Sequence, residues 1–301
     1  MSKYAIYTAV VGGYDEILQP EVIDDRFDYI LFSNDIKEIN VGVWQVCPIN
    51  YHNDIQTKIA RWVKTHPEEL LPDYDFCVWI DSNIRIVTDY IYKSSIDLFY
   101  KGVLLSALKH SKRKCVYDEI AAVLRFGYET DEILMRWGRY LRLQKYPRNN
   151  GLNETGILYR VHSNKDILNF DNLWWSYIEK HSRRDQLSFN YVMYKLNMTC
   201  PYILPKGEFI TTTKDFEYNP VHRNESNKRI VHNKVIMRIV DSYGSDILFI
   251  SKFLYFAFGT NNVLRTLSII GIYLKFRKNI RYFAKKIFPV SSLRNKFNSI
   301  K

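Results

Sequence analysis

The chain is poor in cysteine: Cys47, Cys77, Cys115 and Cys200 stand far apart and form no C-x-x-C pair. That spacing excludes a zinc ribbon and a disulfide framework, and four buried thiols of a cytosolic protein are expected instead. There is no uninterrupted apolar run of the roughly 18 to 20 residues that a spanning helix needs, because Lys252, Arg265 and Lys275 interrupt the apolar C-terminal region. Strand-like sequence begins at Tyr4 with no charged leader, apolar core and cleavage site ahead of it, so no secretory signal is expected. Internal repeats and low-complexity runs are also missing. The 301 residues suffice for one large α/β domain with an appendage.

One further absence is local. Residues 247–301 hold eleven Lys and Arg and no Asp or Glu, which leaves 32 basic and 32 acidic side chains in the rest of a chain of net charge +11. The excess therefore belongs to the tail alone. In that tail Ile269, Ile272, Tyr273, Phe276, Ile280, Phe283 and Ile287 share one side of a helical wheel, and Lys275, Lys278, Arg281, Lys285 and Lys286 the other. This pattern predicts a basic amphipathic helix lying on an anionic membrane surface, with docking onto the main domain as the plainer alternative. It argues against nucleic acid as the main ligand, because the first 246 residues are balanced in charge. The expected division is a main domain over 1–246 and a membrane-associating tail over 247–301, on the inner face of the cytoplasmic membrane.

What is present is organised around Tyr74 to Arg85. Phe76 to Ile80 is a short apolar run of aromatic and β-branched residues between Pro72-Asp73 and Ser82-Asn83, the composition of a buried central strand. Ligands of open α/β sheets bind outside the carboxyl ends of the strands, which is where Asp81 and Asn83 fall. Spaced i, i+2 on extended chain, they point the same way toward one hard cation, Mg²⁺ or Mn²⁺, carrying a diphosphate. The bland reading is a polar turn that closes a strand.

Tyr4 to Val11 reads as a strand running into Gly12-Gly13-Tyr14, where backbone approaches a ligand and Tyr14 stacks on a base, or where the chain merely turns. Strands are expected at Phe27–Phe32, Val43–Ile49, Val103–Leu108, Ile157–Val161, Pro201–Leu204 and Arg229–Lys234, and helices at Asn53–Thr65, Val87–Tyr100 and Gly127–Gln144. Arg61 and Lys64 lie on the polar side of the Asn53–Thr65 helix and matter only if a site lies beneath it. The basic run Lys112-Arg113-Lys114 enters another helix, and Gly151 to Gly156 reads as a polar loop at an acceptor-facing edge. Asp185 near a helix start holds a ligand or caps the helix. His232 after an apolar run is more often structural than a ligand, with Asp81 as its candidate partner.

Several of these pieces together resemble a glycosyltransferase-like family of plants and bacteria with mucilage-related and turgor-regulating members. They are Tyr7 to Asp15, Asp28 to Ser33, Ala60 to Lys64, Trp79 to Asn83, Cys115 to Glu119, Gly151 to Glu154 and Arg183 to Phe189, in the family's order. The resemblance implies a GT-A-like fold, a nucleotide-sugar-binding mixed sheet flanked by helices. It implies a donor site at Thr8, Ala9, Gly12, Gly13 and Tyr14, with Arg61, Lys64 and Lys234 on the diphosphate. A divalent metal is implied on Asp81, Asn83 and His232, although Asn83 stands where many such enzymes carry a second Asp, and an amide is the weaker ligand. Asp185 and Gln186 are implied as donor-sugar or acceptor contacts, and Glu154 and Arg184 as acceptor contacts. Ser111 departs from the proline expected after His110. The implied reaction moves a sugar from a nucleoside-diphosphate donor to a glycan or lipid-linked acceptor. Two other classes fit part of the pattern: a non-catalytic carbohydrate-binding scaffold at the membrane, and a nucleotidyltransferase.

Overall fold

The computed structural model describes residues 3–13 and 15–219. Tyr14, His232, Lys234, the strand expected at 229–234, the 246/247 boundary and the basic tail lie outside the described residues. The elements in chain order are β1 (Tyr4–Ala9), β2 (Phe27–Phe32), β3 (Asn40–Val41), β4 (Trp44–Cys47), α1 (Gln56–Thr65), α2 (Pro67–Leu70), β5 (Phe76–Ile80), β6 (Ile84–Ile86) and α3 (Tyr90–Tyr100). They continue with β7 (Leu105–Lys109), α4 (Val116–Phe126), α5 (Asp131–Leu143), β8 (Asn153–Arg160), α6 (Lys165–Lys180), α7 (Gln186–Leu196) and β9 (Phe216–Tyr218).

Seven strands form one mixed sheet in the order β3-β4-β2-β1-β5-β8-β7, and β6 and β9 make a separate two-stranded ribbon. β1 pairs in parallel with β2 and β5, and β2 with β4, whereas β8 runs antiparallel to both β5 and β7. This is the α/β mixed sheet with flanking helices that the sequence predicts. From β1 the chain winds to β2 and β4 on one side and to β5 on the other, so β1/β5 is the switch point at which a crevice opens.

Side-chain alternation explains why the central strands are buried on both faces. Ala5, Tyr7, Cys77 and Trp79 join a core shared with residues of α1, α4, α5, α6 and α7. Tyr4, Ile6, Phe76 and Val78 join a second core with Ile91 and Tyr92 of α3 and with the β6–β9 ribbon. Tyr7 and Trp79 are register partners across β1 and β5, with ring centroids 5.1 Å apart. Their planes cross at 77°, an edge-to-face contact, and each fully buried aliphatic or aromatic side chain contributes about 1.5–3 kcal/mol.

Four local expectations differ from the structure. Asn153 to Thr155 belong to β8 and not to a loop, because they continue the ladder to Leu108 and Lys109 beyond an irregularity at Ala107/Leu108. Helix does not run through from Gly127: that residue adopts φ 69° and closes α4, and α5 starts afresh with Thr130 as its cap. Pro201–Leu204 is not a strand; it contributes a single bridge from Tyr202 to Ala107. Of the cysteines, Cys77 and Cys115 are buried while Cys47 and Cys200 are partly exposed, and all four are free thiols. Among the described residues no helix is long and apolar enough to cross a membrane.

Candidate functional site

Asp81 follows β5 directly at the carboxyl edge of the sheet. Its backbone N–H donates to the Gly156 carbonyl of β8 at 2.8 Å, and its own carbonyl accepts from Ile84 at 2.9 Å, which fixes the turn. Its carboxylate is used on one oxygen. Oδ1 accepts the Trp79 indole N–H at 2.7 Å and Lys64 Nζ at 3.2 Å, and lies 3.6 Å from an Arg61 nitrogen. No described residue bonds Oδ2, and the side chain is 27% exposed.

Lys64 is the centre of the site. Its side chain is fully buried, and Nζ bridges Asp81 and Asp185 Oδ2, the latter at 2.7 Å, while lying 5.3 Å above the Trp79 ring. Arg61, one helical turn earlier, places Nε 3.2 Å from Asp185 Oδ1, and Thr155 of β8 donates to Asp185 Oδ2 at 2.9 Å. The side of α1 that looked polar and solvated in the sequence is thus the side that covers the site. Asp185 precedes α7 and its side chain makes no capping bond; it is committed to Lys64, Arg61 and Thr155.

The electrostatics follow from burial and from these pairs. Burial raises the Asp185 carboxyl, but the Arg61 and Lys64 charges outweigh it and hold the group well below the usual carboxylate range. Burial pulls the Lys64 ammonium down, opposed by Asp185 and Asp81. Two carboxylates face two cations, so these four side chains are neutral together. A bound diphosphate therefore needs positive charge from elsewhere.

Lys64 is also held by its main chain. Its carbonyl, left without a helical partner at the end of α1, accepts from Tyr7 Oη at 3.0 Å and from Arg160. Arg160 and Asp171 are themselves completely buried and paired at 2.6 Å, a combination no sequence pattern announced.

The other expected residues are distributed around the same edge. Thr8 is buried, its Oγ1 has no hydrogen-bond partner among the described residues, and it lines a small cavity with Val10, Trp44, Ile80, Asp81 and Ser82. Ala9 ends β1 and is buried. The Gly12 N–H donates to Asp35, which ties the loop after β1 to the loop after β2. Gly12 takes φ 71°, the left-handed region that favours glycine, and a Cβ there would displace the Gln56 side chain. Gln186 opens α7, and its Nε2 is buried with no described partner, as is Arg184 Nε.

The Asn83 amide nitrogen donates to the Asn219 carbonyl at 2.9 Å, while the Asn219 N–H returns to the Asn83 carbonyl. It clamps β9 to the Asp81 turn. Glu154 accepts both the N–H and Oγ of Ser111 on Oε1 at 3.0 Å, and no described residue bonds Oε2. Arg113 pairs with Glu119 instead of facing the crevice, and Lys112 and Lys114 are exposed. Nδ1 of His110 accepts the N–H groups of Lys112 and Arg113 at 3.0 and 3.1 Å, so its Nε2 carries the proton toward Glu119.

Among the described residues no three His, Cys, Asp or Glu side chains converge as a metal cage. A hard cation that carries a diphosphate needs only one or two protein carboxylates, the phosphates supplying the rest. Asp81 Oδ2, without a described partner, fits that simpler requirement; at Asn83 the amide nitrogen is spent on Asn219, which leaves the amide oxygen as the atom a cation would use.

The cluster at the switch point of this α/β sheet belongs to a glycosyltransferase-like domain, as comparison of the sequence with known families shows. The TOD1/MUCI70 glycosyltransferase-like domain matches residues 2–205, and the chain belongs to that family. The resemblance built on the ordered motifs is borne out. Among solved structures the chain is similar to the bifunctional glycosyltransferase WbbM in its apo form, at 13% identity and a TM-score of 0.41, over 71% of this chain. It spans 42% of that protein's length. No curated protein matches.

Proposed function

We propose that this chain transfers a sugar from a nucleoside-diphosphate sugar to a glycan or lipid-linked acceptor, in the assembly of a bacterial surface polysaccharide. The observation that carries the reading is the half-used carboxylate of Asp81 beside Lys64, Arg61 and Asp185 at the switch point of a glycosyltransferase-like domain. Thr8, Ala9, Gly12, Gly13 and Tyr14 would take the nucleotide, Thr8 Oγ1 supplying a buried group that a ligand satisfies. Arg61, Lys64 and Lys234 would face the diphosphate. Asp185 and Gln186 would orient the donor sugar, and Glu154 and Arg184 the acceptor.

Asp81, with His232, would hold a divalent cation, Mn²⁺ or Mg²⁺, which supplies the positive charge that the neutral four-residue cluster lacks. The chain's own contribution is preorganisation: Lys64 and Arg61 are fixed before the donor arrives and spend no reorganisation as charge builds on the leaving diphosphate. The basic tail over 247–301 would bring this domain to an anionic membrane surface on the cytoplasmic side, near a lipid-linked acceptor. Nucleic acid is not a partner in this reading.

The test is release of nucleoside diphosphate from a panel of nucleotide-sugars, with and without Mn²⁺, by wild type and Asp81→Ala. One donor turned over by wild type and lost in Asp81→Ala supports the reading. Pyrophosphate as the product assigns a nucleotidyltransferase, and turnover of no donor returns the protein to the scaffold class.

A further inference from the structure

Phe126 and Tyr128 are large aromatic side chains left 47% and 43% exposed. They are not loose. Gly127 between them takes φ 69° as the closing residue of α4, with its N–H on the Leu124 carbonyl and that of Tyr128 on the Val123 carbonyl. This left-handed closure turns both rings to one side, 5.7 Å apart with their planes within 35°. The next residue, Glu129, is buried, accepts from Ser182 Oγ at 3.0 Å and lies 3.8 Å from Arg183. Two exposed rings are thus held rigidly, where a surface loop ordinarily carries small polar residues.

Their position relates them to the site. The Arg184 guanidinium lies 5.2 Å over the Tyr128 ring, and Arg184 immediately precedes Asp185. A third exposed aromatic, Tyr218 at 41%, is the register partner of Ile84, and Ile84 donates its N–H to the Asp81 carbonyl. The Tyr218 phenol is raised by burial first and then by the charges of Asp81 and Glu154, with Tyr128 and Arg184 also within electrostatic reach. Glu154 and Gly156 share one face of β8. A Cβ at Gly156 would fall 3.5 Å from Asp81 Oδ2 and 2.9 Å from Ile84 Cδ1, so this part of β8 runs close beside Asp81.

A pyranose has an apolar face of C–H bonds and an edge of hydroxyls. The negative face of an aromatic ring attracts those C–H groups, while a carboxylate oxygen and a guanidinium take the hydroxyls. We infer that Phe126, Tyr128 and Tyr218 form the platform for the acceptor pyranose, with Glu154 Oε2 and the Arg184 guanidinium at its hydroxyl edge. This rests on the transferase reading above and adds the residues that select the acceptor. Because the rings are already fixed, little entropy is lost on binding. The shared chemistry is the sugar ring, whether it comes from a free glycan or a lipid-linked one.

The experiment is saturation-transfer difference NMR on the full chain with methyl glucoside, galactoside, mannoside and rhamnoside, and with the matching octyl glycosides below their micelle concentration. Wild type, Phe126→Ala, Tyr128→Ala and Tyr128→Phe are compared, each checked for an unchanged unfolding midpoint and assayed for acceptor-free donor hydrolysis. The expected result is ring-proton saturation for at least one glycoside in wild type and Tyr128→Phe, weakened tenfold or more in the two alanine variants, with donor hydrolysis equal in all four. Equal affinity for methyl and octyl forms assigns a free glycan, and tighter octyl binding a lipid-linked one; either supports the platform. Ring-proton saturation that persists in both alanine variants, or wild type that turns over donor yet saturates no glycoside, overturns it. Saturation that disappears in the alanine variants while no protein hydrolyses a donor keeps the platform and removes the transferase reading instead.

Discussion

Two buried charge clusters meet at Lys64, one at its ammonium and one at its carbonyl, and they differ in a single respect. Arg160 and Asp171 are completely sealed. In the other cluster exposure rises in steps, from Lys64 at 0% through Asp185 at 4% and Arg61 at 16% to Asp81 at 27%. Both use a cation to compensate a carboxylate, but only the second leads outward to the carboxyl edge of the sheet. The sealed pair anchors α1, α6 and β8 to one another; the graded one can receive a ligand. Burying both ends of an ion pair fixes position, and in the function proposed above the exposed carboxylate is the one left for a ligand.

The sharpest way to break the comparison is to remove Arg160. Arg160→Met strands Asp171 in the core and releases the Lys64 carbonyl, and an uncompensated buried charge costs about 3–5 kcal/mol. Urea unfolding should show that loss, and the double variant Arg160→Met/Asp171→Leu should recover most of it. Asp81→Ala should do the reverse: donor turnover falls by about 10²–10³-fold while the unfolding free energy changes by no more than about 1 kcal/mol.

The clusters should also separate by pH. Asp185 has a depressed native pKa, so its contribution to stability is whole above the ordinary carboxylate value of about 4 and is lost as pH falls below it. Asp171, buried and only partly offset by Arg160, is pushed up to about 7, so it costs stability as pH rises from about 4 toward 7. Stability measured from pH 3 to 8 should therefore lose its acid-side decline in Asp185→Asn and its rise-side decline in Asp171→Asn. The smallest effect is expected at Asn83, whose amide clamps Asn219. Asn83→Ala should cost about 1 kcal/mol and leave donor turnover within a few-fold, whereas a metal ligand at that position would lose turnover as Asp81→Ala does.

Three parts of the open cluster were legible in the sequence: Asp81 ends an apolar run, Asp185 precedes a helix, and Arg61 and Lys64 lie on the polar side of an amphipathic helix. The helical wheel put Lys64 on the polar side and could not show that this side faces inward, since wheel patterns record polarity and not burial. The sealed cluster was invisible for the same reason. Arg160 falls inside the strand expected at Ile157–Val161 and Asp171 falls in none of the expected elements, and their pairing spans β8 and α6. Thr155 was hidden by its glycine-flanked setting, which reads as a loop until pairing with β7 extends the strand. The β6–β9 ribbon, three residues on each side, is too short for any periodicity and is fixed instead by long-range packing.

The central claim is that the graded cluster, and not the sealed one, receives the donor. It is tested most directly by the thermal stabilisation that nucleotide-sugars confer on wild type, Asp171→Asn and Asp81→Ala, since a ligand raises stability only where it binds the native state. The account predicts that one donor raises the midpoint of wild type and Asp171→Asn by equal increments and leaves Asp81→Ala unmoved. Equal stabilisation of Asp81→Ala, or stabilisation of none of the three by any donor, would contradict it.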